Sequence, residues 1–220
     1  MIKPGEEWGR PSEAVPDLEV TGGDFDLAAA VAGRPGVLVR FRPDAGSDLA
    51  GAVGLTRSAP PSGIGRGIEV ALDVLAVAEH GSAVNMIVVG SPPDASRGFV
   101  RRFGANVRVD EKPVFHGPCT GIVIATGQFR RGLDLVPRGH PGDGRAEIQI
   151  YAVPSRERRQ LRNRLATGTH VPHPKITQRS GSRVAISVDR RVPLEVDGRD
   201  AGRTDLLDVE VLPSAYRLLL

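Results

Sequence analysis

The short run Thr21-Gly22-Gly23-Asp24-Phe25-Asp26 holds the residues whose types and spacing best suit chemistry. It follows an apolar and acidic run, residues 17–20, and precedes an alanine-rich run, residues 27–32. This order predicts a strand, a tight glycine turn and a helix. Backbone N–H groups in such a turn can approach a phosphate, and the helix N-terminus adds partial positive charge. The alternative is a plain turn in which Asp24 or Asp26 caps the helix.

The elements around this turn repeat the same order once more. Residues 37–41 predict a short strand, residues 42–48 a turn, and residues 49–53 a helix capped by Ser47 or Asp48. The first sixty residues therefore predict a fragment of a parallel α/β unit. Because two strands do not form a stable sheet alone, they must pair with the rest of the chain or with another subunit. A homodimer would cover the exposed edges of so small a sheet.

The apolar pattern changes to period two from residue 68 onward, after a linker rich in Ser, Pro and Gly. Residues 68–77 predict a strand, His80-Gly81 a turn, and residues 83–89 the hairpin partner of that strand. One helix, capped by Ser155, is predicted to run to Gly168. About ten short strands separated by turn signals indicate a β-sandwich or flattened barrel. The further strands are predicted over 107–110, 113–115, 121–125, 133–137, 146–153, 183–188, 192–196, 206–212 and 216–220.

Composition excludes several classes of protein. Hydrophobic residues are 40% and charged residues 25% of the chain, which excludes a disordered protein. No apolar stretch is long enough for a spanning helix, and the N-terminal residues do not resemble a signal peptide. Cys119 is the one cysteine, so an internal disulfide cannot form. We predict a cytoplasmic protein for which peripheral contact with a membrane stays open.

The predicted helix near residue 155 carries five arginines beside a narrow apolar stripe, Leu161 and Leu165. The stripe can dock on the sheet, which leaves the basic side chains on a solvated face. The alternative is contact with an anionic lipid surface. Nucleic acid is not expected as a partner, because no aromatic residues that could stack on bases interrupt the basic run. The five basic residues are Arg156, Arg158, Arg159, Arg162 and Arg164.

Several spaced motifs later in the chain accompany the glycine turn. They are Thr126-Gly127-Gln128, Gly132-Leu133-Asp134-Leu135-Val136-Pro137, Gly142-Asp143-Gly144, Val196-Asp197-Gly198 and Val209-Glu210-Val211-Leu212-Pro213. Together they resemble the diacylglycerol kinase catalytic family, the soluble lipid kinases that include bacterial diacylglycerol kinases and sphingosine kinases. The resemblance covers residues 17–220 and is most specific over 121–220.

The resemblance implies an α+β fold: a truncated α/β nucleotide-binding-type lobe followed by a larger β-sandwich domain with one helix. The expected divisions are an extended arm (1–16) anchored by Trp8, the truncated lobe (17–60), a linker (61–67), the β-sandwich domain (68–212) and a C-terminal closing strand (213–220). The family implies ATP in the cleft between the lobes, Mg²⁺, and phosphoryl transfer to a lipid hydroxyl, with the lipid in an apolar groove of the β-domain.

The chain departs from the family pattern where the chemistry would occur. In the phosphate loop, Phe25 stands for a glycine and Asp26 for a threonine, which adds bulk and negative charge. In the second loop Ala45 replaces a threonine hydroxyl, and the segment ahead of the first loop is shorter than usual. At the position of the family's glutamate base stands Arg199, which cannot accept a proton. The resemblance implies that the degenerate nucleotide site consists of Gly22, Gly23, Asp24, Phe25, Asp26, Ala45, Gly46, Ser47 and Asp48.

The resemblance also implies a metal site in the β-domain. A Mg²⁺ ion would be held by the carboxylate of Asp143 and by the backbone carbonyls of His140 and Arg145. Oxygen ligands suit this hard cation. The alternative is that Asp143-Gly144 is only a hairpin turn.

Two classes of function follow. The favoured one is a diacylglycerol-kinase-like protein with weak or no kinase activity, which binds a lipid, a phosphorylated ligand or a protein partner through its β-domain. The alternative is an active ATP-dependent lipid kinase that uses ATP and Mg²⁺. No catalytic residue is assigned, since Arg199 occupies the position of the base.

Overall fold

Short strands make up most of the chain, as the abundance of valine and turn residues predicts. The structure is a computed structural model that describes residues 8–55, 67–94 and 100–220. Within these ranges the strands are β1 (Gly9–Ser12), β2 (Leu18–Gly22), β3 (Leu38–Pro43), β4 (Gly67–Val77), β5 (Gly81–Ala83), β6 (Met86–Gly90), β7 (Phe103–Val109), β8 (Lys112–Cys119), β9 (Gly121–Ala125), β10 (Phe129–Arg130), β11 (Leu133–Asp134), β12 (Ala146–Tyr151), β13 (Ile176–Gly181), β14 (Arg183–Val196) and β15 (Arg199–Leu219). The helices are α1 (Asp24–Val31), α2 (Asp48–Ala52) and α3 (Ser155–Leu165).

Most strands belong to one sheet with the order β1-β4-β15-β14-β6-β9-β12-β13. The hairpin of β7 and β8 joins this sheet through β14, and β2 joins it through β3. Inward-facing residues of β4, β6, β7, β9, β12, β14 and β15 share a single apolar core. Apolar side chains that alternate along each strand therefore meet across a closed interior, as expected for a β-sandwich. The predicted α+β fold with a dominant β-domain is confirmed.

The first lobe has the predicted order of β2, α1, β3 and α2, with β2 and β3 parallel. Its two strands do not stand alone, because β3 also pairs in parallel with the end of β15, Leu38 beside Arg217. Leu27 and Val31 of α1 are buried in a second core that includes Tyr216 of β15. The lobe is thus built on the C-terminal strand of the β-domain.

One strand prediction is wrong in its pairing, and another divides a single strand into two. Residues 83–89 were expected to return beside β4, but β6 pairs with β9 and β14 instead, and only β5 pairs with β4. The chain turns away at Val84 and Asn85, whose N–H groups donate to the carboxylate of Asp197 in the turn between β14 and β15. The strands predicted over 206–212 and 216–220 are one strand, β15, with an irregularity between Leu212 and Tyr216.

Helix α3 begins at Ser155 as predicted, but its N-cap is Pro154 and the Ser155 side chain does not cap it. Leu161 and Leu165 are buried against Val123, Tyr151 and other residues of β9 and β12, so the expected apolar stripe is confirmed. None of the helices in the described ranges is long and apolar enough to cross a membrane.

The expectation that all five arginines of α3 face solvent is wrong. Arg158 is 3% exposed. Its guanidinium donates to the carbonyls of Ser91 and Pro92 and to the hydroxyl of Thr120 at 2.8–3.0 Å. Arg162 donates to the carbonyl of Pro93 at 2.9 Å. Membrane contact stays a prediction for the remaining three, which are exposed: Arg156, Arg159 and Arg164.

The N-terminal arm adds a strand to the sheet. Its residues Gly9–Ser12 form β1, which pairs antiparallel with β4. The half-buried Trp8 packs against the core of the first lobe, and its ring meets the ring of His140 edge-on at 4.9 Å between centroids. Residues 1–7, and the predicted linker apart from Gly67, lie outside the described ranges.

Candidate nucleotide site at the junction of the two lobes

The structure brings the two predicted nucleotide loops together. Residues 22–26 lie between β2 and α1, and residues 44–48 lie between β3 and α2. Because β2 and β3 are parallel neighbours, both loops leave the same edge of the sheet. Ala45 and Gly46 are exposed there, whereas Asp24 is 4% exposed.

Asp24 connects the two loops, and it does so differently from either sequence prediction. It was expected to cap its own helix or to lie beside a phosphate. Instead, its carboxylate accepts hydrogen bonds from the hydroxyl of Ser47 at 2.5 Å and from the N–H groups of Asp48 and Leu49 at 3.1 and 3.0 Å. Asp24 therefore caps α2, together with Ser47, whose hydroxyl accepts the N–H of Ala50 at 3.1 Å.

The glycine loop is closed by the chain's own carboxylates. Gly22 has a φ of +141° and lies so close to Asp26 that a Cβ would be 2.4 Å from its Oδ2. The N–H of Gly23, which a phosphate oxygen would require, donates to Oδ2 of Asp26 at 2.9 Å. A Cβ on Gly23 would also lie 3.7 Å from Oδ1 of Asp44, so a second carboxylate faces the loop. Two negative charges at an anion-binding turn repel phosphate, and these residues do not fit a triphosphate in this arrangement.

Arg199 reaches across from the β-domain to this loop. Its Nη2 lies 2.7 Å from Oδ1 of Asp26, and its guanidinium carbon lies 4.2 Å from the centroid of the Phe25 ring. Three of the residues that depart from the lipid-kinase pattern, the adjacent Phe25 and Asp26 and the distant Arg199, thus contact one another. We call Phe25, Asp26 and Arg199 the interlobe contact.

A second link between the lobes starts at Asp48, one of the predicted nucleotide residues. Its two carboxylate oxygens accept the N–H groups of Arg131 and Gly132, at 2.6 and 2.8 Å, in the turn between β10 and β11. The neighbouring Arg130, 5% exposed, binds Glu195 at 2.8–3.0 Å and also contacts Asp94. This buried ion network fixes the turn against β14.

Two structural aspartates were missed by the sequence reasoning. Asp197, in a turn quoted only as a motif, accepts the N–H groups of Val84, Asn85 and Met86 at 2.8–3.1 Å. Asp73 is fully buried and accepts the N–H groups of Gly144 and Ser214, at 2.7 and 2.8 Å. For Asp73 the available signal was an acid within the apolar run of β4, since buried carboxylates must be hydrogen-bonded.

The predicted metal residues occupy one turn before β12. Oδ1 of Asp143 accepts the N–H of Arg145 at 2.9 Å, and the Arg145 guanidinium donates to Ser180. Nowhere in the described ranges do three or more His, Cys, Asp or Glu side chains lie close enough to hold a metal ion. One carboxylate with backbone carbonyls binds Mg²⁺ weakly without substrate phosphates. These residues alone do not complete a magnesium site, and the site at Asp143, His140 and Arg145 stays a prediction.

Burial makes two carboxyl groups near the lobe junction weaker acids than usual. It raises the pKa of Asp24 to about 6, against the opposing hydrogen bonds from Ser47 and Leu49. Burial also raises the pKa of Asp197 to about 7, and the charge of Asp24 adds to this effect. In the folded protein, these two acids near the lobe junction therefore change charge around pH 6 to 7.

We expect the variant Asp24→Asn to gain stability relative to the wild type as pH rises. The pKa of Asp24 is about 6 in the folded state and 3.8 in the unfolded state, so between these pH values the folded wild type binds a proton that the unfolded chain does not. The wild type therefore loses stability as pH rises toward 6, and Asp24→Asn does not. Between pH 4 and 7.5 the difference in unfolding free energy should shift by about 2 kcal/mol in favour of the variant. Urea denaturation at several pH values measures this shift.

The opposing titration of His170, whose pKa is lowered by burial, is present in both proteins and cancels in the difference. Glu13→Gln, a change in an exposed residue, controls for the loss of one negative charge. Parallel pH profiles for wild type and Asp24→Asn would contradict the assignment of a raised pKa to Asp24.

Comparisons with known proteins agree with the architecture. The crystal structure of a candidate diacylglycerol kinase from Bacillus anthracis superimposes with a TM-score of 0.74 at 15% identity, covering 92% of this chain and 77% of that one. A second diacylglycerol kinase structure from that organism gives 0.72 at 14% identity, with coverage of 92% and 77%. The yeast NADH kinase complexed with NADH gives 0.50 at 14%, with coverage of 92% and 61%. At these identities the likeness establishes the fold.

The sequence itself identifies the family to which the chain belongs. No curated protein matches it significantly. Residues 100–220, more than half of the chain, match the family described as the YegS C-terminal NAD kinase beta sandwich-like domain. The matched region contains the Asp-Gly turns and terminal strands on which the resemblance to lipid kinases depends, and that resemblance is confirmed. The chain belongs to the YegS C-terminal, NAD kinase β-sandwich-like family.

Proposed function

We propose that this protein is a non-phosphorylating member of its family, with a degenerate nucleotide lobe and a β-domain that binds a phosphorylated or lipid ligand. The interlobe contact carries the proposal. Arg199 lies in the position of the expected base, and it is paired with Asp26 and stacked on Phe25. A guanidinium with two partners in the first lobe has a positioning role and cannot act as a proton acceptor.

The geometry of the glycine loop supports the same conclusion. The Gly23 N–H is already bonded to a carboxylate, so an incoming phosphate would have to displace Asp26 from both Gly23 and Arg199. Phosphoryl transfer depends on positioning and charge neutralisation at the phosphates. A loop that presents its own anions supplies neither.

An active ATP-dependent lipid kinase is the second candidate. The fold, which matches diacylglycerol kinase structures over 92% of the chain, favours it. So does the pKa of about 6 at Asp24, since a carboxyl that titrates near neutral pH is suited to accept a proton. Against it, three donors already hold the Asp24 carboxylate.

We expect no phosphoryl transfer and no ATP-induced stabilisation. The protein would be mixed with radiolabelled ATP, Mg²⁺ and vesicles that contain diacylglycerols or sphingoid bases, and the lipid phase would be counted. Its melting temperature would be followed over a titration with ATP and Mg²⁺. An active diacylglycerol kinase serves as the positive control.

Label in the lipid phase would overturn the proposal and establish the kinase. Its loss in an Asp24→Asn variant that keeps the wild-type fold would then support Asp24 as the proton acceptor. Stabilisation by ATP without transfer would keep the non-phosphorylating assignment but contradict the closed state of the glycine loop.

A further inference from the structure

A small polar pocket in the β-domain is lined by none of the residues of the two nucleotide loops. Its cavity of about 240 Å³ lies between the ends of β6 and β9, residues 100–103, and strands β14 and β15. Three arginines from different parts of the chain line it: Arg101, Arg190 and Arg203. We call this cavity the arginine pocket.

Two of these arginines, Arg190 and Arg203, donate to backbone carbonyls, whereas Arg101 is exposed. Nη2 of the half-buried Arg190 donates to the carbonyls of Arg102 and Arg101 at 2.9 and 3.4 Å. Nη2 of Arg203 donates to the carbonyl of Arg191 at 2.6 Å. Across the described part of the chain, none of the three lining arginines forms an ion pair with a carboxylate. The guanidinium groups of Arg190 and Arg203 are therefore held in position by neutral acceptors that leave their positive charges uncompensated.

The acids closest along β14 have other partners. Asp189 accepts the N–H of Gly104 at 2.8 Å. Glu195 accepts hydrogen bonds from Arg130 in the ion network at the lobe junction. The positive field of the pocket is therefore only partly offset by these neighbours.

A fourth guanidinium lies behind the pocket wall. Arg158, 3% exposed, donates to the carbonyl of Ser91 and the hydroxyl of Thr120, and both of these residues line the cavity. Within the described ranges all its partners are neutral oxygens, and its Nε has no hydrogen-bond partner among those residues. Burial and the neighbouring Arg162 lower the pKa of Arg158, and no acid opposes that shift. A buried cation without a counter-ion is unfavourable, and an anion in the pocket would offset it.

The chemistry of the pocket matches one class of ligand. Guanidinium groups present paired donors that fit the oxygens of a phosphate, and several such groups favour a dianion over a carboxylate. The cavity is smaller than the roughly 300–1,000 Å³ of sites that enclose whole drug-sized ligands. It therefore suits a phosphate group with a small substituent, the rest of the ligand staying outside.

We propose that the arginine pocket binds the terminal phosphate of a phosphate monoester. The ligand is either a small soluble ester or the headgroup of a monoester phospholipid. This assignment names the ligand class for the β-domain and so rests on the proposed function, but it does not depend on whether the protein phosphorylates anything. A kinase assay tests that function, whereas the experiments below measure binding alone.

The soluble arm uses inorganic phosphate and glycerol 3-phosphate as probes, with sodium acetate as the carboxylate control. Binding would be followed by calorimetry and by amide chemical shifts of Ser91, Phe103 and Thr120. The variant Arg101→Gln/Arg203→Gln should bind phosphate about tenfold more weakly, because two charge-assisted contacts are lost. Arg34→Gln/Arg179→Gln removes the same charge from exposed positions outside the pocket and should bind as the wild type does.

The lipid arm uses vesicles of phosphatidylcholine with either phosphatidic acid or phosphatidylglycerol at equal surface charge. Only phosphatidic acid has a terminal monoester phosphate, so the wild type should sediment preferentially with it. The pocket variant should lose this preference, and any remaining binding to both anionic vesicles would be ascribed to Arg156, Arg159 and Arg164.

Binding in the soluble arm alone, or in the lipid arm alone, supports the pocket and identifies the source of the phosphate. Equal phosphate affinity in the pocket and control variants would overturn the proposal, as would the absence of binding in both arms. Circular dichroism and thermal unfolding of each variant establish that the fold is retained. If the double variant does not fold, Arg190→Lys, which keeps the charge but loses the paired donors, replaces it and should bind phosphate more weakly.

Discussion

Replacement of Arg130 by alanine is expected to lower the unfolding free energy by about 3–5 kcal/mol, the range observed when one partner of a buried ion pair is removed. The Arg130 side chain is 5% exposed and lies between Asp94, 2% exposed, and Glu195, 20% exposed. Without the guanidinium, two carboxylates remain close together in a largely dry environment. The loss therefore reflects uncompensated charge more than lost packing.

The adjacent arginine offers a matched control. Arg131 contacts the same Glu195 at 3.2 Å, but its side chain is 56% exposed. Arg131→Ala should cost less than about 1 kcal/mol, as exposed ion pairs do. Urea unfolding of both variants measures the difference. Adding Asp94→Asn and Glu195→Gln to Arg130→Ala should recover part of the lost stability. Equal costs for the two arginines would contradict the network's role.

Replacement of Asp197 by alanine should destabilise the protein by about 3 kcal/mol or more, because three backbone N–H groups lose their acceptor. These donors belong to Val84, Asn85 and Met86, where the chain leaves β5 and enters β6. Asp197 also has a φ of +46°, a conformation that Asp and Asn tolerate better than Ala. Asp197→Asn keeps the backbone preference and one acceptor oxygen, and should lose roughly half as much.

The variant Asp200→Ala, in the following strand, controls for the loss of a nearby carboxylate. Asp200 is exposed and accepts a single N–H, that of Gly202, at 2.8 Å. Asp200→Ala should have little effect on stability. Hydrogen exchange gives a second measurement, since the amides of residues 84–86 should exchange faster in Asp197→Ala while those of β12 change only with global stability. Unchanged protection at residues 84–86 would show that the turn does not depend on Asp197.

Local pattern was sufficient to predict much of the fold. The alternation of Ala146–Tyr151 and the β-branched run Gly121–Ala125 mark strands that are buried on the faces expected. The glycine turn with its alanine-rich helix was found in the predicted order. These features are encoded within a few residues, so a single sequence is enough to show them.

Pairing and side-chain partners were not predictable in the same way. Nothing within residues 83–89 specifies that β6 will lie beside β9, and the acceptor of the N–H groups where β6 begins, Asp197, lies more than a hundred residues later. Arg158 lies in a basic run typical of a solvated helix face, yet its guanidinium donates to the backbone carbonyls of Ser91 and Pro92, which are distant in sequence. In the sequence, Phe25 and Asp26 depart from the lipid-kinase pattern at one place and Arg199 at another. Only the tertiary structure shows that Arg199 contacts both of the others.

The pairing of β3 with the end of β15 constrains the order of folding. Leu38 and Val39 emerge from the ribosome long before Arg217 and Leu218, the residues beside which they lie. Although β2 and β3 can pair with each other, the other edge of β3 has no partner until β15 has been synthesised. Contacts of such large sequence separation fold slowly and leave unpaired strand edges exposed in the meantime. During translation the unfinished lobe therefore exposes an aggregation-prone strand edge, which the synthesis of β15 allows to be covered.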